Sequence, residues 1–183
     1  DVVGRSLQCF HEIEEGLGEE EQAKPKVLLK SLKELNGGDE PTLFGDCRIR
    51  NQRNWDQSFA YLIDALNTIS TQPSLIYRLF ERTKVKKDGI HPVWINTNGK
   101  WQNIILDDRV PVIQTAQDKT IPLFIGDSRS GQNGIWASLL LKGLVKSMSP
   151  NYFQARNGYE PYAMHSLTGA PYQVYDIVNI NQR

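Results

Sequence analysis

An apolar stripe within residues 56–66 constrains the fold of this 183-residue chain more than any other feature. Its members recur at i, i+3, i+4 and i+7, the spacing of one helix face: Phe59, Leu62, Ile63 and Leu66. Asp56 precedes the stripe, where a carboxylate can accept hydrogen bonds from the free N–H groups of a first helical turn. The pattern predicts a buried central helix over about residues 56–69, entered from the polar run 48–54.

Charge and cysteine content exclude several classes of function. The 21 basic residues balance the 21 acidic residues, so no net field favours nucleic acid or an anionic membrane. The apolar runs are too short to span a bilayer, and the N-terminus lacks a signal-peptide pattern. Two cysteines, three histidines and the absence of C-x-x-C argue against a disulfide framework and a zinc site. We therefore expect a cytoplasmic protein.

The first 40 residues are predicted to form an N-terminal helical extension to a domain over 41–183. Four apolar residues fit one helix that ends at the signal Asn36-Gly37-Gly38: Val27, Leu28, Leu32 and Leu35. Upstream, an apolar patch (Leu7, Phe10 and Ile13) precedes the glutamate-rich run 14–21. We interpret that run as a solvated turn rather than a source of calcium ligands.

Further along the chain, the pattern changes from helical to β. After a short helix over 75–81, residues 93–95 and 101–106 are predicted to pair as a hairpin, because Asn98-Gly99 favours a tight turn with left-handed backbone. The remaining segments are predicted as a loop at 114–120, strands at 122–125 and 172–177, and helices at 135–148 and 159–167. The predicted fold class is α+β, helix-rich, with a central helix and a small antiparallel hairpin.

Three segments, in the same order, resemble the calpain protease core. Residues 89–111 contain a G-x-W turn and end in D-D-R-V-P, which is similar to the D-D-R-L-P of the family. Residues 136–142 resemble the W-x-x-L-L-E-K helix, and residues 157–169 resemble the segment that ends in F-T-G-G. The resemblance covers about 41–177 and implies the nucleophile-bearing lobe of a papain-like fold. The second lobe, which carries the catalytic His and Asn in calpains, has no counterpart in these residues.

The resemblance also implies a nucleophilic cysteine at the start of the central helix, within G-D-C-W. Gly45-Asp46-Cys47 matches these letters, but the polar run 48–54 follows it. The separation that the family keeps between its nucleophile and its Asp-Asp pair, counted back from Asp107, places Gln57 at the nucleophile position. A carboxamide can hydrogen-bond, but it offers no thiolate or hydroxyl with which to form an acyl-enzyme. The resemblance therefore implies a catalytically degenerate site.

Other residues compete for roles at this site. A one-residue shift would put the Ser58 hydroxyl at the helix start, although a serine there commonly acts as a cap. Cys47 is the alternative nucleophile, in a calcium-dependent cysteine endopeptidase whose His and Asn come from a second lobe. Asn51 lies where calpains place the glutamine that helps to form the oxyanion hole. His91 and His165 match no catalytic position and are interpreted as surface or packing residues.

Calpain lobes bind calcium through loop carbonyls and carboxylates, which are hard oxygen ligands. Two loop positions that the resemblance expects to be acidic hold Arg48 and Gly134 here. Asp46 and Asp127 are the remaining candidate ligands. We expect calcium binding to be lost and no cofactor to be required. The pair Asp107-Asp108 is interpreted as structural rather than as a general acid and base.

The sequence thus predicts a non-catalytic calpain-like domain that serves as an interaction or scaffold module within a larger protein. The expected partners are proteins or neighbouring domains of the same chain, because the face that normally packs on the second lobe should be available. Calpain-like domains occur in large assemblies that include cilia, so cytoskeletal and ciliary locations are among the expectations. The alternatives are the endopeptidase that uses Cys47 and a regulatory pseudoprotease that binds peptides without cutting them.

Overall fold

The computed structural model of the protein describes residues 26–35, 42–45, 57–85, 87–114, 120–122, 134–152 and 154–175. The strands are β1 (Lys26–Ser31), β2 (Ile90–Thr97), β3 (Lys100–Asp107), β4 (Arg109–Gln114) and β5 (Thr120–Pro122). The helices are α1 (Leu32–Leu35), α2 (Ala60–Ser70), α3 (Pro73–Tyr77), α4 (Trp136–Met148) and α5 (Glu160–Thr168), and a 3-10 turn at Gln57–Phe59 leads into α2. This mixture of helices and small antiparallel sheets confirms the predicted α+β class.

The apolar stripe of α2 lies at the centre of the helical layer, as predicted. Leu62, Leu66 and Ile69 are almost fully buried, whereas Asp64 and Thr68 on the opposite face are exposed. The helix packs against α3, α4 and α5. Burying one such leucine stabilises the fold by about 1.5–3 kcal/mol, so this apolar stripe anchors the core.

Helix α4 lies between α2 and the β2–β3 hairpin. Because both sides are covered, Leu139, Leu140 and Leu144 are all inaccessible to solvent. The hairpin has the predicted turn, with positive φ angles at both Asn98 and Gly99. Val93 and Ile95 of β2 and Leu106 of β3 are buried towards Gly143 of α4, whereas most of β3 is exposed.

The helix predicted to include 27–35 is wrong over its first part, where β1 pairs antiparallel with β4 from Lys26 opposite Gln114 to Ser31 opposite Arg109. Only the last four residues are helical. A reciprocal pair of hydrogen bonds marks this helix start: the Glu34 N–H donates to Ser31 Oγ (3.2 Å), and the Ser31 N–H donates to the Glu34 carboxylate (2.9 Å). The boundary predicted at 40/41 stays a prediction.

Strand β4 has no counterpart among the predicted strands, of which the second hairpin strand ends at 106 and the next begins at 122. It is the middle strand of the β1-β4-β5 sheet. Pro111 is tolerated there because β5 pairs only with residues 112–114, so Pro111 has one neighbouring strand in the described sheet. The strand predicted at 172–177 is wrong for residues 172–175, which belong to no strand, and its last two residues lie outside the described ranges.

One helix prediction and one strand prediction differ from the structure in their bounds. The helix predicted at 75–81 is α3, which begins at Pro73, a residue suited to the first helical turn. It ends at Tyr77 because Phe80 instead bridges to Val93 of β2. The strand predicted at 122–125 matches β5 only at Pro122, and residues 123–125 lie outside the described ranges. Within the described residues, no helix is long and apolar enough to cross a bilayer.

Candidate functional site

The candidate catalytic residues that the structure describes, Gln57 and Ser58, lie at the entry to the central helix. Gln57 is the first residue of the 3-10 turn, directly before α2. Phe59 at the end of this turn is buried and meets the Tyr152 ring edge to face, with 6.4 Å between ring centroids. The packing fixes the direction in which the chain enters α2.

A second segment, residues 154–159, holds this entry from the side. The Asn157 N–H donates to the Ser58 carbonyl (2.8 Å), and Arg156 Nε donates to the Ser58 hydroxyl (2.8 Å). One turn further on, the Tyr61 hydroxyl donates to the Ala155 carbonyl (2.6 Å). Three contacts between segments almost one hundred positions apart therefore tie the helix entry to the loop before α5.

The environment of Tyr61 shows how closely the two segments pack. Burial, with a smaller contribution from Tyr162, raises the pKa of Tyr61 to about 12. A Cβ atom on Gly158 would lie 2.5 Å from Cε2 of the Tyr61 ring, so the chain needs a glycine at this position. Tyr61 acts here as a neutral hydrogen-bond donor.

The contact between Arg156 and Ser58 bears on the alternative of a serine nucleophile. A serine is activated by a neighbouring group that accepts its proton. The guanidinium is protonated at all ordinary pH values and only donates hydrogen bonds. It therefore stabilises the hydroxyl as an acceptor, which suits a structural role for Ser58 rather than a catalytic one.

The remaining candidate residues lie outside the described residues: Cys47, Asn51, Asp46 and Asp127. The predictions that concern their catalytic or calcium-binding roles stay predictions. Among the residues that the structure does describe, no three His, Cys, Asp or Glu side chains are grouped closely enough to hold a metal ion.

One position of the expected calcium loop, Gly134, does lie in the described chain. It forms a parallel bridge with Thr42, and the next two N–H groups, of Ile135 and Trp136, donate to the carbonyls of Thr42 (3.1 Å) and Leu43 (3.0 Å). A Cβ atom at position 134 would overlap the Phe44 carbonyl and lie 2.6 Å from its carbon. The two backbones approach so closely that a side chain at position 134 requires them to separate.

The Asp107 carboxylate is part of a charged cluster that joins β3, β4 and α4. It pairs with Arg109 Nε (3.1 Å) and with Lys142 Nζ, which also donates to the carbonyls of Asp107 (3.1 Å) and Arg109 (2.6 Å). The Asp108 carbonyl accepts a hydrogen bond from the Leu32 N–H (3.0 Å). These contacts support the structural interpretation of the Asp107-Asp108 pair.

Burial has opposite effects on the two ends of this ion pair. It raises the pKa of Asp107, but the hydrogen bonds and charges of Lys142 and then Arg109 outweigh it, so the net shift is downward. Burial lowers the pKa of Lys142, and Asp107 offsets only part of that shift. Lys142 is the more deeply buried partner. Its charged form therefore loses more hydration free energy than it regains from the attraction of Asp107.

His91 is buried on β2, as expected of a packing histidine, and acidification is expected to destabilise the fold through it. Burial lowers its pKa; Asp108 and Asp88 oppose this shift, and Lys142 and Arg82 add to it. Below about pH 6.5 the unfolded chain binds a proton that the folded chain does not, so stability is lost as the pH falls towards the folded pKa. Above that pH, this group contributes no pH dependence.

The measurement is the urea midpoint at about pH 7.5 and about pH 5.5, for the natural chain, His91→Leu and the control His165→Gln. The decrease on acidification should shrink in His91→Leu and persist in His165→Gln. The same decrease in all three proteins would contradict the assignment.

Sequence reasoning did not single out Arg156, although its neighbours Asn157-Gly158-Tyr159 were part of the resemblance. Its partner, Ser58, lies 98 positions away, and no local pattern signals such a contact. Lys142 had a clearer signal, because this lysine closes the W-x-x-L-L-x-K motif directly after the apolar run Leu139-Leu140-Leu141.

The helix entry, the hairpin and the α4 motif all lie within a segment that matches a known protein family. The family model described as calpain family cysteine protease matches residues 40–183, which is more than half of the chain. The matched residues include the central helix, strands β2 to β5, and the segment 154–159, which is hydrogen-bonded to Ser58. The chain belongs to the calpain family of cysteine proteases.

Proposed function

We propose that this chain is a non-catalytic calpain-like domain that serves as an interaction or scaffold module within a larger protein or complex. The observation that carries the proposal is that the 3-10 turn leading into the central helix begins at Gln57, the position at which the family spacing expects a thiol. A thiol at a helix N-terminus gains from the dipole, which favours the thiolate. A carboxamide at the same place has no proton that it can lose to become a nucleophile.

The contacts around the helix entry support the same proposal. In a working cysteine protease lobe, the side chains beside the nucleophile face a base on the second lobe. Here the side chain next to Gln57 accepts a hydrogen bond from a guanidinium, and the adjoining loop is bonded to the helix backbone. This arrangement stabilises the entry without preparing a proton transfer.

The outward face of the hairpin supports a role in binding. Four large apolar side chains of the hairpin remain exposed there: Ile90 (44 %), Trp94 (36 %), Trp101 (43 %) and Ile105 (61 %). The Arg78 guanidinium lies 5.7 Å from the centre of the Trp101 ring. Tryptophan and arginine are enriched at protein interfaces. We propose proteins or neighbouring domains of the same chain as partners, in a cytoplasmic, cytoskeletal or ciliary setting.

The second candidate is a calcium-dependent cysteine endopeptidase that uses Cys47. The sequence Gly45-Asp46-Cys47 favours it, because these letters match the family motif. It requires a His and an Asn from a second lobe, and a base must lie within hydrogen-bond reach of the thiol.

An activity-based thiol probe, applied with and without calcium to the full-length protein that contains this chain, separates the two candidates. We expect Cys47 to react no faster than an ordinary thiol of pKa about 8.5. We also expect Gln57→Cys, made together with Cys47→Ser, to react faster than the matched Thr68→Cys variant, because position 57 lies just before the first turn of α2, whose dipole favours a thiolate, whereas Thr68 is exposed near the other end of the helix. Fast, calcium-dependent labelling that Cys47→Ser abolishes would overturn the proposal.

A further inference from the structure

A cavity of about 380 Å³ lies between β1, the β3–β4 junction, the second half of α4 and residues 149–152. It is separate from the candidate catalytic residues, because neither Gln57 nor Ser58 lines it. Its volume falls in the lower range of ligand pockets, which suits one small molecule rather than a polypeptide segment. The cavity is therefore a candidate binding site distinct from the helix entry.

Most of the cavity lining is apolar. The apolar residues come from four parts of the chain: Leu29, Leu106, Val145, Pro150 and Tyr152. Leu106 and Val145 are buried and form the inner wall, whereas Pro150 is exposed. An alkyl chain or a ring that enters the cavity is removed from water against these side chains, which favours a ligand with an apolar body.

The charged side chains of the lining are unequal in number. Three of them are cationic, Arg109, Lys142 and Lys146, and one is acidic, Asp107. Asp107 pairs with Arg109 Nε (3.1 Å) and with Lys142 Nζ, so its negative charge is already offset. The lining therefore carries an excess of positive charge, which attracts an anion.

Lys146 is the cation best suited to bind that anion. The Lys142 ammonium donates to the Asp107 carboxylate and to the carbonyls of Asp107 (3.1 Å) and Arg109 (2.6 Å), which uses its three N–H donors. Within the described residues, the Lys146 ammonium donates only to the Ile105 carbonyl (2.7 Å), and its side chain is exposed. Two of its N–H donors therefore remain for a carboxylate.

We propose that this cavity binds a small amphipathic carboxylate, such as a medium-chain fatty acid. The apolar body packs against Leu106 and Val145, and the carboxylate accepts hydrogen bonds from Lys146. Leu29 of β1 precedes residues 40–183, so one wall of the cavity lies outside the segment that matches the calpain family. The proposal goes beyond a scaffold role and is independent of whether the domain is catalytic.

Calorimetric titration of the whole chain with decanoate tests the proposal. We expect one site per chain, with a dissociation constant on the order of 100 µM because the ligand has few atoms. Decyltrimethylammonium, which carries the same alkyl chain with the opposite charge, should bind about tenfold more weakly. Equal or tighter binding of this cation would overturn the proposal, as would the lack of a saturable site for decanoate.

Lys146→Met isolates the carboxylate contact, because it removes the charge and keeps an unbranched side chain. It should weaken decanoate binding about fivefold, without weakening the binding of decyltrimethylammonium. The matched control is Lys100→Met, which removes a charge beside the exposed hairpin turn and should bind decanoate like the natural chain. Equal decanoate affinity in the natural chain and in Lys146→Met would contradict the assignment.

Leu29→Trp tests the apolar part of the site, because the larger side chain fills the cavity and should abolish decanoate binding. The amide NMR signals of the natural chain give a second measurement, which does not depend on how that variant folds. Decanoate should shift the signals of Val145 and Asn151 saturably and leave that of Lys100 unchanged. Retained decanoate affinity in a folded Leu29→Trp protein, or saturable shifts confined to residues outside the lining, would overturn the proposal.

Discussion

Gly134→Asp is expected to destabilise the protein by about 2–3 kcal/mol and to leave calcium affinity unchanged. The reason is steric: the new Cβ atom would overlap the Phe44 carbonyl and lie 2.9 Å from Cδ1 of Trp136. Relief requires the 42–45 segment and the start of α4 to separate, which breaks the hydrogen bonds that the N–H groups of residues 135 and 136 donate. A carboxylate restored at this loop position therefore damages the core before it can bind an ion.

The control for this experiment is Thr42→Asp, which introduces the same charge across the bridge at an exposed position. It should cost less than about 0.5 kcal/mol, as is usual for a surface substitution. Both variants are compared by urea denaturation, and calcium titration by calorimetry follows for each folded protein. Equal destabilisation by the two variants would indicate an effect of charge rather than of space. A saturable calcium site in Gly134→Asp would contradict the steric explanation.

Lys142→Met is expected to cost about 2–3 kcal/mol, although methionine fits the apolar surroundings of α4. The Lys142 side chain is 18 % exposed and its ammonium group donates to a carboxylate and to two backbone carbonyls. Without it, the Asp107 and Arg109 carbonyls lose a donor at the junction of β3 and β4. The loss of these three charge-assisted hydrogen bonds therefore outweighs the gain from removing a desolvated charge.

Lys146→Met provides the matched control, because Lys146 lies one turn further along the same helix and makes one hydrogen bond, to Ile105, at an exposed site. It should change the free energy of unfolding by less than about 1 kcal/mol. The Lys142 effect should also depend on pH. Since the pKa of Asp107 is lowered in the folded state, its contribution is present above its unfolded pKa of about 3.9 and is lost as the pH falls through the folded value. A more stable Lys142→Met protein would show that desolvation dominates this cluster.

The elements that the sequence predicted correctly have short-range signals. The stripe of α2 repeats within eight residues, and the Asn98-Gly99 turn fixes the hairpin register locally. The N-terminal strand had an ambiguous signal, because Val27, Leu28 and Leu29 fit a strand or a helix equally well. The S-x-x-E spacing of Ser31 and Glu34 marks where the helix begins and would have separated the two elements.

The features of the site that were missed depend on distant residues. The bond between Arg156 and Ser58 and the close approach of Gly134 to Phe44 both bring together segments from opposite halves of the chain. Local propensity carries no information about such pairs. The family resemblance located the helix entry, but the residues that hold it in place became visible only in three dimensions.

The pairing of β1 with β4 also has a consequence for synthesis on the ribosome. Lys26 emerges long before its partner Gln114, so the strand must wait on the order of ten seconds at ordinary elongation rates. During that time an apolar strand is without its partner and open to pairing with other chains. The central helix and the hairpin lie between the two strands in sequence, and each can form before the sheet closes. Among the described elements, strand β1 is thus the first to be made and among the last to be secured.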